Sequence, residues 1–166
     1  MSLVDTILAE FDNEMALTRR VLERAPGSAF TWRPHDKSWT LGELCTHLTN
    51  LLHWGNQILT RDGYDIVTDA TPKSPALDSP ASVLAAFDGR VSEVRARFTG
   101  MIDAELSTPW VLTRNGTVLM STPRIAAFKQ FTLNHLVHHR GQLSVYLRLQ
   151  NVPLPPLYGP TADEAL

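Results

Sequence analysis

The sequence predicts an all-α fold, a four-helix bundle with one long crossover and a short β-hairpin before the last helix. Three observations carry this: long stretches in which apolar side chains recur at helical spacing, capping and breaker residues at their ends, and one Asn-Gly pair between β-favouring residues.

Leu3, Ile7, Leu8, Phe11, Met15, Val21 and Leu22 set the first helical stripe, which Pro26-Gly27 ends. A linker containing Pro34 follows. The second helix starts at Thr40 as N-cap with Glu43 three residues on, the pattern of a capping box, and stops near Asp62-Gly63. Tyr64 to Ser79 is rich in Asp, Thr, Pro and Ser without a steady period and reads as the crossover loop. The third helix opens at Ser79 with Pro80 in its first position and closes at Gly100, its stripe running through Val83, Leu84, Phe87, Val91, Val94 and Phe98. Asn115-Gly116 inside WVLTRNGTVLMS predicts the hairpin, which needs a helix to pack on. The fourth helix begins at Thr122-Pro123 and continues until Pro153, Pro155 and Pro156 forbid it.

Bulk properties limit the function classes. The length of 166 residues fits a single domain spanning residues 1–166. A formal charge of -2 with no block of like charges gives no electrostatic footprint for nucleic acid or an acidic membrane surface. The one cysteine, Cys45, excludes an intrachain disulfide and a multi-cysteine zinc site, and it reads as a small core hydrophobe. The N-terminal segment carries acidic residues and no basic run, unlike a signal peptide, and no apolar run is long enough to span a membrane, so a cytoplasmic protein is expected.

The histidines are the chemical signal. In NHLVHHRGQLSVY, three imidazoles fall within five residues of an otherwise apolar helix. At about 100° per residue, Phe128, Gln142 and Tyr146 mark one face, His135 and His139 lie about 20° to either side of its centre, and His138 lies about 80° away. On the second helix the same count puts His47 among Leu44, Leu51, Trp54 and Ile58 and turns His53 about 120° away, onto a polar side. His35, beside Pro34, is expected in solvent. A lone inward histidine such as His47 is ordinarily a satisfied core residue. Two more on a facing helix change the balance, because several buried imidazoles need a shared acceptor or a cation. A divalent metal held by His47, His135 and His139, with an open position for water or substrate, meets that need.

SWTLGELCTHL, NHLVHHRGQLSVYLR and NVPLPPLYGPTADE together resemble the DinB-like superfamily over nearly the whole chain. The resemblance implies a four-helix bundle of up-down-down-up connectivity. It also implies one divalent ion, zinc or nickel, held by one histidine of the second helix and the i,i+4 pair of the fourth, the positions of His47, His135 and His139. Relatives include S-transferases that use mycothiol, bacillithiol or glutathione, and maleylpyruvate isomerases. A low-molecular-weight thiol cosubstrate and a homodimer are implied with them. The leading expectation is therefore a metal-dependent, thiol-dependent S-transferase. Its rivals are a metal-dependent hydrolase of a small amide or ester, and a non-catalytic metal-binding stress protein.

Residues near the site have two readings each. Glu43 either orients His47 from one turn away or only caps its helix. Gln142 either bonds a ligand histidine or a substrate, or makes a plain interhelix contact, and Asn50 has the same standing. Tyr146 and the tryptophans Trp32, Trp39 and Trp54 either line a pocket or fill the core. Trp54, Leu157 and Tyr158 are apolar candidates for a dimer contact. Arg140 points away from the metal face and is expected to meet a carboxylate of a neighbouring helix or solvent. The tail, with Leu154, Leu157 and Tyr158, is expected to pack over the bundle.

Overall fold

Ser2 opens the first helix by a reciprocal cap: its hydroxyl accepts from the Asp5 amide at 3.0 Å, and the Asp5 carboxylate accepts from the Ser2 amide at 3.1 Å. In the structure, a computed structural model describing residues 1–70 and 76–165, helix α1 then runs Leu3–Leu22. Helix α2, Leu41–Thr60, starts at the expected capping box, with Glu43 N to Thr40 Oγ1 at 3.1 Å and Thr40 N to Glu43 Oε2 at 2.7 Å. Helix α3, Pro80–Arg97, follows the Ser79 cap with proline in its first turn. Phe11 of α1 and Phe98, just past α3, stand with ring centroids 6.2 Å apart and meet Phe128 of the last helical segment at 6.0 and 5.6 Å, and this aromatic cluster centres the core.

The fold is mainly helical, but the all-α expectation needs a correction: a three-stranded mixed sheet is present. Strands β2 (Pro109–Arg114) and β3 (Thr117–Pro123) form the expected antiparallel hairpin. Asn115 and Gly116 take φ of 47° and 77°, which matches the twist of a two-residue hairpin turn. Strand β1 (Gly63–Asp65) lies parallel to β2, where a loop is expected from the sequence. The Asp65 carboxylate fastens it there. One oxygen accepts from Val67 N at 2.9 Å and Thr68 N at 3.2 Å, and the other from the Thr113 hydroxyl at 2.9 Å and Gly116 N at 2.8 Å. Those donors hold the carboxyl far below the usual range. Of the expected crossover, residues 71–75 lie outside the described residues.

A short helix, α4 (Asp103–Ser107), precedes the hairpin and was not anticipated. Its Asp103 accepts from the amides of Leu3 and Val4 at 2.9 and 3.0 Å, a second cap on α1. The expected fourth helix is not one α-helix. It consists of α5 (Arg124–Phe128), a π-helical turn (Lys129–Asn134) and α6 (His135–Leu149). Arg124, 7% exposed, donates to the carbonyls of Ile58 and Arg61 and to Asp62 at 2.6 Å, closing the C-terminal end of α2.

The tail packs on the bundle as expected. Tyr158 OH donates to Glu14 at 2.7 Å, Arg24 pairs with Glu164 at 2.7 Å, and Arg148 pairs with Asp163. Arg140 finds its neighbouring-helix carboxylate in Glu14, at 2.7 Å. Cys45 is fully buried, and burial pushes its thiol pKa up to about 12, so it is inert packing. Among the described residues no helix is long and apolar enough to cross a membrane.

Candidate metal centre

Three of the six histidines come together. His47 projects from α2, and His135 and His139 from successive turns of α6, and one ring nitrogen of each lies within 4.8 Å of the others. The ring centroids of His47 stand 5.3 Å from His135 and 4.4 Å from His139. His135 Nε2 and His139 Nε2 are 3.0 Å apart. Two imidazole nitrogens sharing a cation at 2.0 to 2.1 Å stand roughly 2.9 to 3.4 Å from each other, so this pair already has the spacing of co-ligands.

The hydrogen bonds fix which nitrogens are free. Nδ1 of His139 meets Oε1 of Gln142 at 2.7 Å. An amide oxygen only accepts, so Nδ1 carries the proton and Nε2 is left with its lone pair facing the cluster. The Gln142 amide nitrogen continues to Nε2 of His138 at 3.1 Å. Nε2 of His47 is buried and makes no hydrogen bond among the described residues, a cost that a bound cation would remove.

Electrostatics keep the rings in their ligating form. Burial, and then the neighbouring His139 and His135, push the His47 pKa down to about 4. Burial also lowers His135 and His139, more than the Gln142 bond raises the latter. All three rings are therefore neutral at pH 7, as coordination requires. The donor set of three neutral imidazoles suits a divalent ion such as zinc or nickel better than calcium or magnesium, which want oxygen.

Trp39 closes one side. Its ring centroid lies 4.6 Å from His47 and 5.5 Å from His139, yet the side chain is 44% exposed. The backbone behind it is anchored where Tyr146 OH donates to the Trp39 carbonyl at 3.1 Å, and Tyr146 meets Trp32 edge-on. A cavity of about 440 Å3 opens here, lined by Lys37, Ser38, Trp39, His139, Gln142, Val145 and Tyr146. The arrangement can hold a cation on one face while a small molecule reaches it from the other.

Gln142 and Tyr146 are thus at the site, as one of their two readings has it. Glu43 is not: its carboxylate is exposed and spent on the Thr40 cap. Asn50 is not either, since its oxygen accepts from Arg90 of α3. His138 is exposed, as its helical phase requires. His53 corrects an expectation: it is half-buried, with Nε2 shielded and without a hydrogen-bond partner among the described residues, because α3, whose Arg90 bonds Asn50 one turn away, packs on the side of α2 that the sequence shows as polar. Trp54 likewise packs on Tyr64 and Phe131. Lys37 was missed, and a lysine in a polar linker carries no signal that could have singled it out.

The profile of the DinB superfamily matches residues 10–143. The uncharacterized protein YrdA of Bacillus subtilis is 24% identical over 165 residues, covering 97% of this chain and 91% of its own length. Among solved structures, a DinB-like protein of Bacillus subtilis, YjoA, superposes with a TM-score of 0.73 at 16% identity, covering 92% of this chain and 97% of its own. A DinB-like protein of Bacillus cereus gives a TM-score of 0.69 at 19% identity, covering 91% and 95%. At these identities the two structures speak for the fold.

Proposed function

The chain belongs to the DinB superfamily, and on that premise we propose that it is a metal-dependent enzyme in which His47, His135 and His139 hold one zinc or nickel ion and a low-molecular-weight thiol is cosubstrate in S-transfer. The observation that carries the reading is the partnerless Nε2 of His47 beside the His135–His139 pair, whose Nε2 atoms stand 3.0 Å apart at the spacing of co-ligands, with His139 lining an open cavity. A bound divalent ion supplies Lewis acidity, which makes a thiol nucleophilic at neutral pH. The chain's own residues do the rest. Gln142 fixes the His139 tautomer and ring orientation. Trp39 shields two of the rings from water while leaving an apolar wall for a substrate.

The same reading takes the four long helical segments as an up-down-down-up bundle and the protein as a cytoplasmic homodimer; light scattering with metal present, returning twice the chain mass, checks the latter. The test of function is the cobalt-loaded protein titrated with glutathione, bacillithiol, mycothiol and cysteine. A thiol that supports transfer changes the cobalt spectrum as sulfur joins the ligands, and conjugation of a small electrophile follows. No spectral change with any of the four, together with ester or amide turnover in the absence of thiol, replaces transfer by hydrolysis.

A further inference from the structure

Resting on this metal-site reading, we infer that Gly55 is a positioning residue: its bare backbone seats, against Thr132, the π-helical turn that aims the His135–His139 pair at His47. At about 100° per residue, an unbroken α-helix would place Phe128 within about 20° of His135. Phe128 instead turns toward Phe11 of α1, with its ring edge at Gly55 of α2, whereas His135 turns toward His47 of α2. Phe128 is fully buried against Phe11 and Phe98, while the His135 ring stands 5.3 Å from His47. The six-residue π turn lies between them. A π turn acts as an extra residue in the ladder and rotates everything after it by about 100° relative to what precedes it. One helical segment thereby fills the core at its start and presents imidazoles to α2 further on.

Two contacts show how the turn is seated. Thr18, Thr46 and Thr49, all buried in helices, donate to the carbonyl four residues back at 2.8, 2.8 and 3.1 Å. Thr132 is equally buried, yet its hydroxyl has no partner among the described residues, the mark of a ladder opened at this point. Gly55 of α2 faces it. A Cβ there would lie 3.2 Å from Phe128 Cε2, 3.2 Å from Thr132 Cγ2 and 3.3 Å from Thr132 Oγ1. The absent side chain lets the turn nest against the helix that carries His47, so the gap between the ligand-bearing helices is set at Gly55.

The variants Gly55→Ala, Thr132→Ala and the double variant test this. Gly55→Ala should lower cobalt affinity by about tenfold or more, the scale of losing a residue that orients ligands. Adding Thr132→Ala, which removes two of the three atoms the new Cβ would meet and leaves Phe128 Cε2, should restore most of the affinity and the cobalt spectrum, and Thr132→Ala alone should keep both. Ring-to-ring proton contacts between His47 and His139 in the metal-free protein should weaken in Gly55→Ala and return in the double variant. Wild-type affinity in Gly55→Ala, or a loss that Thr132→Ala does not restore, overturns the inference. If the wild type binds no cobalt, the metal reading fails separately, and the metal-free ring contacts still decide: weakening with rescue supports the positioning role, and unchanged contacts overturn it.

Discussion

Replacing Glu14 by Ala should destabilise the protein by about 3 to 5 kcal/mol, the usual consequence of leaving a buried charge without its counter-charge. Arg140 is 1% exposed and Glu14 8%. The guanidinium donates to Glu14 Oε2 at 2.7 Å, to the Glu14 carbonyl and Thr18 Oγ1 at 3.1 Å each, and to Tyr158 OH. Tyr158 OH also donates to Glu14 Oε2 at 2.7 Å, so one carboxylate oxygen serves two donors from α6 and the tail. Truncation removes that acceptor and leaves Arg140 with a carbonyl and two hydroxyls, none of them charged. For a chain of this size a loss near 4 kcal/mol lowers Tm by roughly 8 to 16 °C. The assay is urea denaturation followed by circular dichroism and tryptophan fluorescence. The double variant Glu14→Leu with Arg140→Met should regain most of the loss, because a well-packed apolar pair replaces a buried ion pair at little cost. A single-variant cost below about 1 kcal/mol, or a double variant as unstable as the single, would refute the reasoning.

Acidification should weaken the metal-free protein well above the carboxylate range. His47, His53, His135 and His139 all have folded pKa values below their unfolded 6.5, so the unfolded state binds more protons as pH falls below 6.5. Stability is therefore full above pH 6.5 and declines toward pH 4, where His47 titrates, with His47 alone contributing about 2 kcal/mol of the loss at pH 5. Equal urea midpoints at pH 7.5 and pH 5 contradict this. Thr132→Val keeps the shape and deletes the partnerless hydroxyl, so it should stabilise by about 1 kcal/mol; a comparable loss in the same urea assay would mean the hydroxyl has a partner, such as a buried water. Asp65→Ala removes the acceptor of four hydrogen bonds and should free β1 from the hairpin, seen as faster amide exchange at Gly116, Val67 and Thr68 with α1 to α3 unaffected. Unchanged exchange at those amides rejects that role.

What could be read in advance was local. Thr40 with Glu43, and Ser79 with Pro80, fix helix starts through bonds spanning three or four residues, and Asn115-Gly116 fixes a turn by its own backbone preference. The pair His135 and His139 was legible because both lie within α6, where the helical period holds. Phe128 was a poor marker for their face, since the π turn intervenes and RIAAFKQFTL fits α-helical spacing throughout; the contact that seats the turn is with Gly55, far away in sequence. Strand β1 has three residues, too few to show a period of two, and its partner Val111–Thr113 lies beyond a whole helix. His53 was read as solvated because its neighbours in sequence are polar, whereas its burial is decided by α3.

Metal binding by defined variants tests the central claim most directly. Untagged protein, titrated with zinc or cobalt in a calorimeter, should take up one ion per chain. His47→Ala, His135→Ala and His139→Ala should each weaken that binding by more than about 100-fold, beyond the effect of an outer-shell change, while His138→Ala and His53→Ala leave it within a few-fold of wild type. No stoichiometric uptake by the wild type, or an equal loss in His138→Ala, contradicts the three-histidine centre.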